Sequence, residues 1–100
     1  MMYTGRIVPA QEALAMGLVS EVVPAEELEA RATALATEIA RGPSIAIELM
    51  KRLTQETFSR DLDSQIEMEQ FLQGYTHNTE DAAEGRKSFL EKREPVFKGR

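Results

Sequence analysis

Cysteine is absent from this chain of 100 residues. Disulfides, thiolate nucleophiles and cysteine-based metal sites are thereby excluded, and the composition suits a reducing compartment. Tryptophan is absent too, and aromatics amount to four Phe and two Tyr, so a core must come from Leu, Ile, Val, Ala and Met. No apolar run approaches the roughly 20 residues of a membrane-spanning helix, so no membrane partner is expected. Residues Met1 to Arg6 lack a charged start followed by an apolar block. No signal peptide is therefore expected, and the expected location is cytoplasmic. A basic surplus is also missing: the formal net charge is −5. Nucleic-acid binding, which wants a basic face across the domain, is not expected. The six glycines are scattered and form no GxGxxG or GxxxxGK[ST] loop, so no phosphate cradle is built. The single histidine, His77, lies beside Asn78 in a polar stretch that reads as a solvated loop, with no nucleophile placed near it. A metal needs several His, Cys or clustered carboxylates. Asp61/Asp63 and Glu67/Glu69 are two apart and fall on different sides of a helix. Neither a metal centre nor a complete catalytic constellation is expected, and no residue of this chain is assigned as catalytic.

What the chain does have is helical periodicity. Pro9 suits the first turn of a short helix over residues 10–16, and Gly17 is placed to stop it. Leu18 to Val23 is a β-branched extended link. Pro24 opens a second helix, with Glu26, Glu27 and Glu29 at its positive end, Arg41 in its last turn, and Leu28, Ala32, Leu35, Ala36 and Ile39 as an apolar stripe. A third helix starts at Pro43 and Ser44, presents Ala46, Leu49, Met50 and Leu53, gains a Glu48–Arg52 pair and fades near Phe58 to Arg60. Asp61 caps a fourth, with Leu62, Ile66, Leu72 and Tyr75 on one side and Gly74 weakening its end. Thr79 caps a fifth, which carries Ala82, Ala83, Phe89 and Leu90 as its apolar residues and stops at Glu94-Pro95; Val96 to Arg100 is a tail. With no βαβ pattern and no hairpin, the fold class is all-α, about five helices. Such thin stripes rely on tertiary packing more than on propensity, so part of each apolar face is expected to be buried against another chain.

The last fifth reverses the charge. From residue 86, Arg86, Lys87, Lys92, Arg93, Lys98 and Arg100 outweigh Glu91 and Glu94, a local surplus of +4. Cations beside aromatics fit an anion that carries a ring, such as a nucleotide phosphate. They equally fit a helix C-terminus dressed to complement its dipole.

Two segments carry a family resemblance. Thr4-Gly5-Arg6-Ile7-Val8-Pro9-Ala10-Gln11-Glu12-Ala13-Leu14-Ala15-Met16-Gly17-Leu18-Val19 resembles a stretch of the enoyl-CoA hydratase/isomerase (crotonase) superfamily. Asp81-Ala82-Ala83-Glu84-Gly85, with Ser88-Phe89-Leu90-Glu91-Lys92-Arg93-Glu94-Pro95-Val96-Phe97-Lys98-Gly99, is similar to that family's ending. Glu38 to Pro43 and Lys51-Arg52 resemble the segment between them, so order and spacing match over nearly all of the chain.

The resemblance implies the C-terminal helical and trimerisation region of a crotonase-like fold. Residues 1–23 would end the core-packing segment, and residues 24–100 would form the oligomerisation region. Family members run to about 260 residues, the size of a full single-core domain. On this resemblance the chain is a fragment whose β/α spiral core is absent, together with the oxyanion-hole N–H groups and the acid–base carboxylates. The parent would hydrate 2-enoyl-CoA in fatty-acid β-oxidation, a lyase activity, and the chain alone is expected to be inactive. Coenzyme A enters as the acyl-CoA substrate, with no separate cofactor, and the expected partner is another copy, in a trimer or a dimer of trimers. Phe89 and Lys92, three apart on one helix face, would meet the adenine and the phosphates of coenzyme A on a neighbouring subunit, with Lys98 as a further candidate. The alternative for Phe89 is ordinary core. The alternatives for the whole are a fragment of a crotonase-family isomerase, or a free-standing helical interaction module without chemistry.

Overall fold

The computed structural model describes residues 3–100; Met1 and Met2, and the expectation that they begin no signal peptide, lie outside the described residues. Five α-helices follow in order and no strand occurs among the described residues, as the helical periodicity requires. The chain divides into two compact units, one reaching Thr33 and the other Ala34–Arg100.

In the first unit, α1 (Ala10–Ala15) starts from an extended Pro9, whose carbonyl accepts from Ala13 N–H at 3.0 Å. It stops as its glycine demands. Gly17 adopts φ +70°, Gly17 N–H donates to Leu14 and Leu18 N–H reaches back to Ala13 at 2.9 Å. This paired closure satisfies carbonyls that a helix end leaves open. Ala13 is buried, and Arg6 reaches Glu12 through both guanidinium nitrogens at 2.6 and 3.0 Å. After the link, Pro24 leads into a tight 3-10 turn, Ala25–Glu27, which becomes α2 (Leu28–Ala40).

The second unit holds the end of α2 and the other three helices. Arg41, expected in the last turn of α2, lies just past it. Next come α3 (Ser44–Glu56), prolonged by a 3-10 turn over Thr57–Ser59, and α4 (Leu62–His77). α5 (Glu80–Glu91) is last. α3 packs on α4, and α4 on α5. Both predicted N-caps are in place: Asp61 accepts from Ser64 N–H at 2.9 Å, and Thr79 Oγ1 from Ala82 N–H at 3.1 Å.

Several expectations need correction. Arg52 does not pair with Glu48; it turns to Glu56 at 3.3 Å, which also takes Arg60. Two guanidiniums, Arg60 first, hold the Glu56 carboxyl below its usual range. Thr76 and His77 are not loop: α4 runs through them despite Gly74, and Asn78 caps it, its side-chain amide donating to Gly74 carbonyl at 2.8 Å. The inward row of α4 is also different. Leu72 is buried, but Leu62, Ile66 and Tyr75 are exposed. Gln65, Met68, Leu72 and Thr76 form the less exposed row instead. A polar tie selects it: Gln65 Nε2 donates to Leu53 carbonyl at 3.2 Å and to Thr57 Oγ1 at 3.4 Å, so a side chain that reads as surface fastens α4 to the end of α3.

The core is thin. Ala13 and Leu72 are the buried hydrophobics among the described residues. The α2 stripe is bare, with Leu28, Leu35 and Ile39 all exposed and no buried residue in that helix.

Candidate functional site

The candidate residues sit at the end of α5 and in the segment after it. α5 turns a small and polar row inward, with Asp81 and Ser88 buried and Gly85 half-buried between them. The expected apolar row is not the packed one. Phe89 is 83% exposed and Leu90 80%, so neither is packed within this chain. The helix also ends earlier than Glu94-Pro95. Lys92 adopts φ 53°, the left-handed conformation, Lys92 N–H donates to Phe89 carbonyl at 3.3 Å, and Arg93 N–H returns to Ser88 at 3.1 Å. A glycine usually takes this position because it has no Cβ to clash, so the stop carries no sequence signal. Lys92 follows Phe89 by three residues, as read, but it sits one step past the helix rather than on its face.

Arg93 fixes the turn. Its guanidinium takes both oxygens of Glu84, with Nη2 to Oε2 at 2.9 Å, while Nε donates to Glu91 at 2.7 Å. Glu84 Oε1 also accepts Val96 N–H at 2.9 Å. Arg93 first, then that N–H, pulls the Glu84 carboxyl down to about 2, and Glu84 followed by Glu91 raises Arg93. Arg100 donates to Glu80 at 3.0 Å. Of the six cations, Arg93 and Arg100 are thus neutralised internally. No ion pair within 4 Å holds Arg86, Lys87, Lys92 or Lys98 among the described residues. Lys98 and Lys87 line one shallow cavity of about 260 Å³ with Glu80, Glu84 and Val96.

The tail is not a tail. Val96 to Arg100 folds back across the start of α5 as a strap. The buried Asp81 carboxylate accepts Lys98 N–H at 2.7 Å on one oxygen and Gly99 N–H at 2.9 Å on the other; Asp81 N–H donates to Arg100 carbonyl at 3.0 Å. Gly99 has φ +72°, and a Cβ there would stand 2.6 Å from Ser44 Oγ, at the start of α3. Dipole complementarity is thus too small an account of Asp81 and Glu84, which read as ordinary helix-start acids in the sequence. The one available signal was Gly99, a glycine placed after Phe97-Lys98 with no turn to serve.

His77 is exposed, its Nδ1 2.9 Å from Gln73 carbonyl, and Asp61 is occupied as a cap. No three metal-ligating side chains converge among the described residues.

The model of the enoyl-CoA hydratase/isomerase family matches residues 1–100. The chain belongs to this family. It is 42% identical over 91 residues to a probable enoyl-CoA hydratase of Rhodobacter capsulatus, an alignment covering 91% of this chain and 35% of that protein. It is 35% identical to the (E)-benzylidenesuccinyl-CoA hydratase of Thauera aromatica, over 99% of this chain and 39% of that one. Its structure matches the crystal structure of an enoyl-CoA hydratase from Bacillus anthracis with TM-score 0.91 and 40% identity, over 98% of this chain and 38% of that chain. The chain therefore spans little more than a third of the length of these relatives. Among the described residues, no helix is long and apolar enough to cross a membrane.

Proposed function

We propose that this chain is the C-terminal helical part of an enoyl-CoA hydratase-type enzyme, and that it serves oligomerisation and covers the coenzyme A end of the active site. The reaction of the whole would add water across the double bond of a 2-enoyl-CoA. The oxyanion hole and acid–base carboxylates would stand on residues outside this chain, which supplies no catalytic group. The names of the hydratases it resembles favour hydration over isomerisation. Fatty-acid β-oxidation and a cytoplasmic location belong to the same proposal, the second supported by the lack of cysteine.

The observation that carries this reading is the bare apolar surface of α4, a helix otherwise well capped. Leu62, Ile66 and Phe71 of α4 are 72%, 42% and 72% exposed. Full burial of such side chains is worth about 1.5–3 kcal/mol each, and in proportion to the exposure that remains the three would gain roughly 3–6 kcal/mol. That approaches the low end of the whole stability of a typical domain, about 5–15 kcal/mol. A helix that leaves this much unused is shaped to pack on something else, and the proposal supplies it: the rest of the enzyme and further copies, as a trimer or a dimer of trimers. At the other end, Phe89 offers a ring in solvent and Lys92 and Lys98 offer cations without internal partners, as binding of an adenine and its phosphates requires.

The test is to join this chain behind the upstream region of the Rhodobacter capsulatus relative and assay hydration of a short 2-enoyl-CoA. We expect turnover by the joined protein and none by the 100-residue chain alone. A folded but inactive joined protein, or turnover by the isolated chain, would contradict the proposal.

A further inference from the structure

We infer that Asp81 is a positioning residue: its buried carboxylate anchors the strap Val96–Arg100 across the starts of α3 and α5 and so sets the backbone from which Lys98 reaches the coenzyme phosphates. The coenzyme part rests on the function proposed above; the anchor itself does not. Two successive backbone N–H groups, of Lys98 and Gly99, converge on the two oxygens of one carboxylate, at 2.7 and 2.9 Å. Such a pair of N–H groups is an anion-binding concavity, and here the anion is supplied from within the chain. Asp81 is 3% exposed, so water does not compete for its oxygens. The strap is closed again from the other direction, Asp81 N–H donating to Arg100 carbonyl. Phe97 lies against Gly85, its ring 3.8 Å from where a Cβ would be, which seats the strap on the helix between its two carboxylate ties. A side chain at Gly99 would strain its left-handed backbone and displace the Ser44 hydroxyl. Glu84 makes the second tie, through Val96 N–H and Arg93. Lys98 thus gives its N–H to the anchor and keeps its ammonium group outside internal ion pairs. A flexible lysine is a weak phosphate ligand when its backbone also has to be ordered on binding; an anchored backbone removes that cost.

Asp81→Asn keeps the shape but turns an amide NH2 toward one of the two N–H donors. In the isotope-labelled full chain, amide exchange at Lys98 and Gly99 is expected to speed up at least about tenfold, the loss of one charge-assisted bond. The Ser64 and Ala82 amides, which report the caps of α4 and α5, are expected to stay protected. Gly99→Ala is expected to release the same amides by steric conflict with Ser44, without touching Asp81. In the joined protein, titration with coenzyme A is expected to move the amide signals of Phe89, Lys92 and Lys98 of the wild-type sequence. Pantetheine, which lacks the phosphates, is the control. Both variants are expected to lose the preference for coenzyme A over pantetheine by roughly threefold or more while the Phe89 shift persists. Lys98→Gln is expected to lose the same preference with slow exchange at Gly99 intact, which separates the cation from its anchor. Unchanged exchange at Lys98 and Gly99 in Asp81→Asn overturns the anchor. Faster exchange with unchanged coenzyme selectivity overturns the positioning role. Slow strap amides in a wild-type joined protein that does not respond to coenzyme A overturn the coenzyme reading, and the positioning role with it, while the anchor stands on its exchange result.

Discussion

α4 and the end of α5 solve opposite problems. α4 is well capped and tied to α3 through Gln65, yet it leaves Leu62, Ile66, Phe71 and Tyr75 in solvent. α5 with its strap buries little that is apolar and is held instead by a polar clamp of Asp81, Glu84 and Arg93. One region is incomplete without a partner. The other is closed by its own hydrogen bonds and holds its unpaired cations at fixed places. The difference separates a docking surface from a preorganised edge: apolar area left over asks for a neighbour, whereas a saturated polar clamp holds a backbone in place for whatever its side chains are to meet.

The contrast can be broken at its strongest point first. Leu72 is the buried apolar contact of α4. Leu72→Ala is expected to cost about 2–5 kcal/mol by chemical denaturation, as large-to-small core changes do. Thr79→Ala removes the cap of α5 and is expected to cost about 1 kcal/mol, loosening the clamp from its other end. Leu62→Ser with Phe71→Ser is expected to change the unfolding of the chain by less than about 0.5 kcal/mol, since surface changes usually do, while abolishing association of the joined protein in sedimentation. The smallest effect is on the strap alone and depends on pH. Glu84 is held at about 2 against an ordinary 4.5, so its contribution is complete above 4.5 and is lost as the pH falls toward 2. Exchange at Val96 is expected to rise over that window in wild type and to be fast and flat with pH, once intrinsic exchange is divided out, in Glu84→Gln.

Much of the local structure was legible. Gly17, Asp61 and Thr79 announce their ends because each residue type has a specific hydrogen-bonding or dihedral reason to be there. The five helices follow from spacing, and the family from the two end segments. The facing of α4 was not legible, because its more apolar row is the bare one and the row turned inward is half polar, with Gln65 reaching a carbonyl twelve residues away. The end of α5 was hidden because a lysine takes the left-handed position. Asp81 was hidden by a sufficient local explanation: an acid in a first turn needs no further reason, and its partners lie 17 and 18 residues on. At the candidate site, Phe89, Lys92 and Lys98 were named from the resemblance, but that the strap fixes Lys98 is visible only in three dimensions.

The central claim is that the bare faces are surfaces for the rest of a larger assembly. Sedimentation velocity of the joined protein, this chain behind the upstream region of its Rhodobacter capsulatus relative, tests it most directly. The account predicts an oligomer that dissociates when Leu62 and Phe71 are changed to serine. A folded, monomeric joined protein, unchanged by those substitutions, would contradict it.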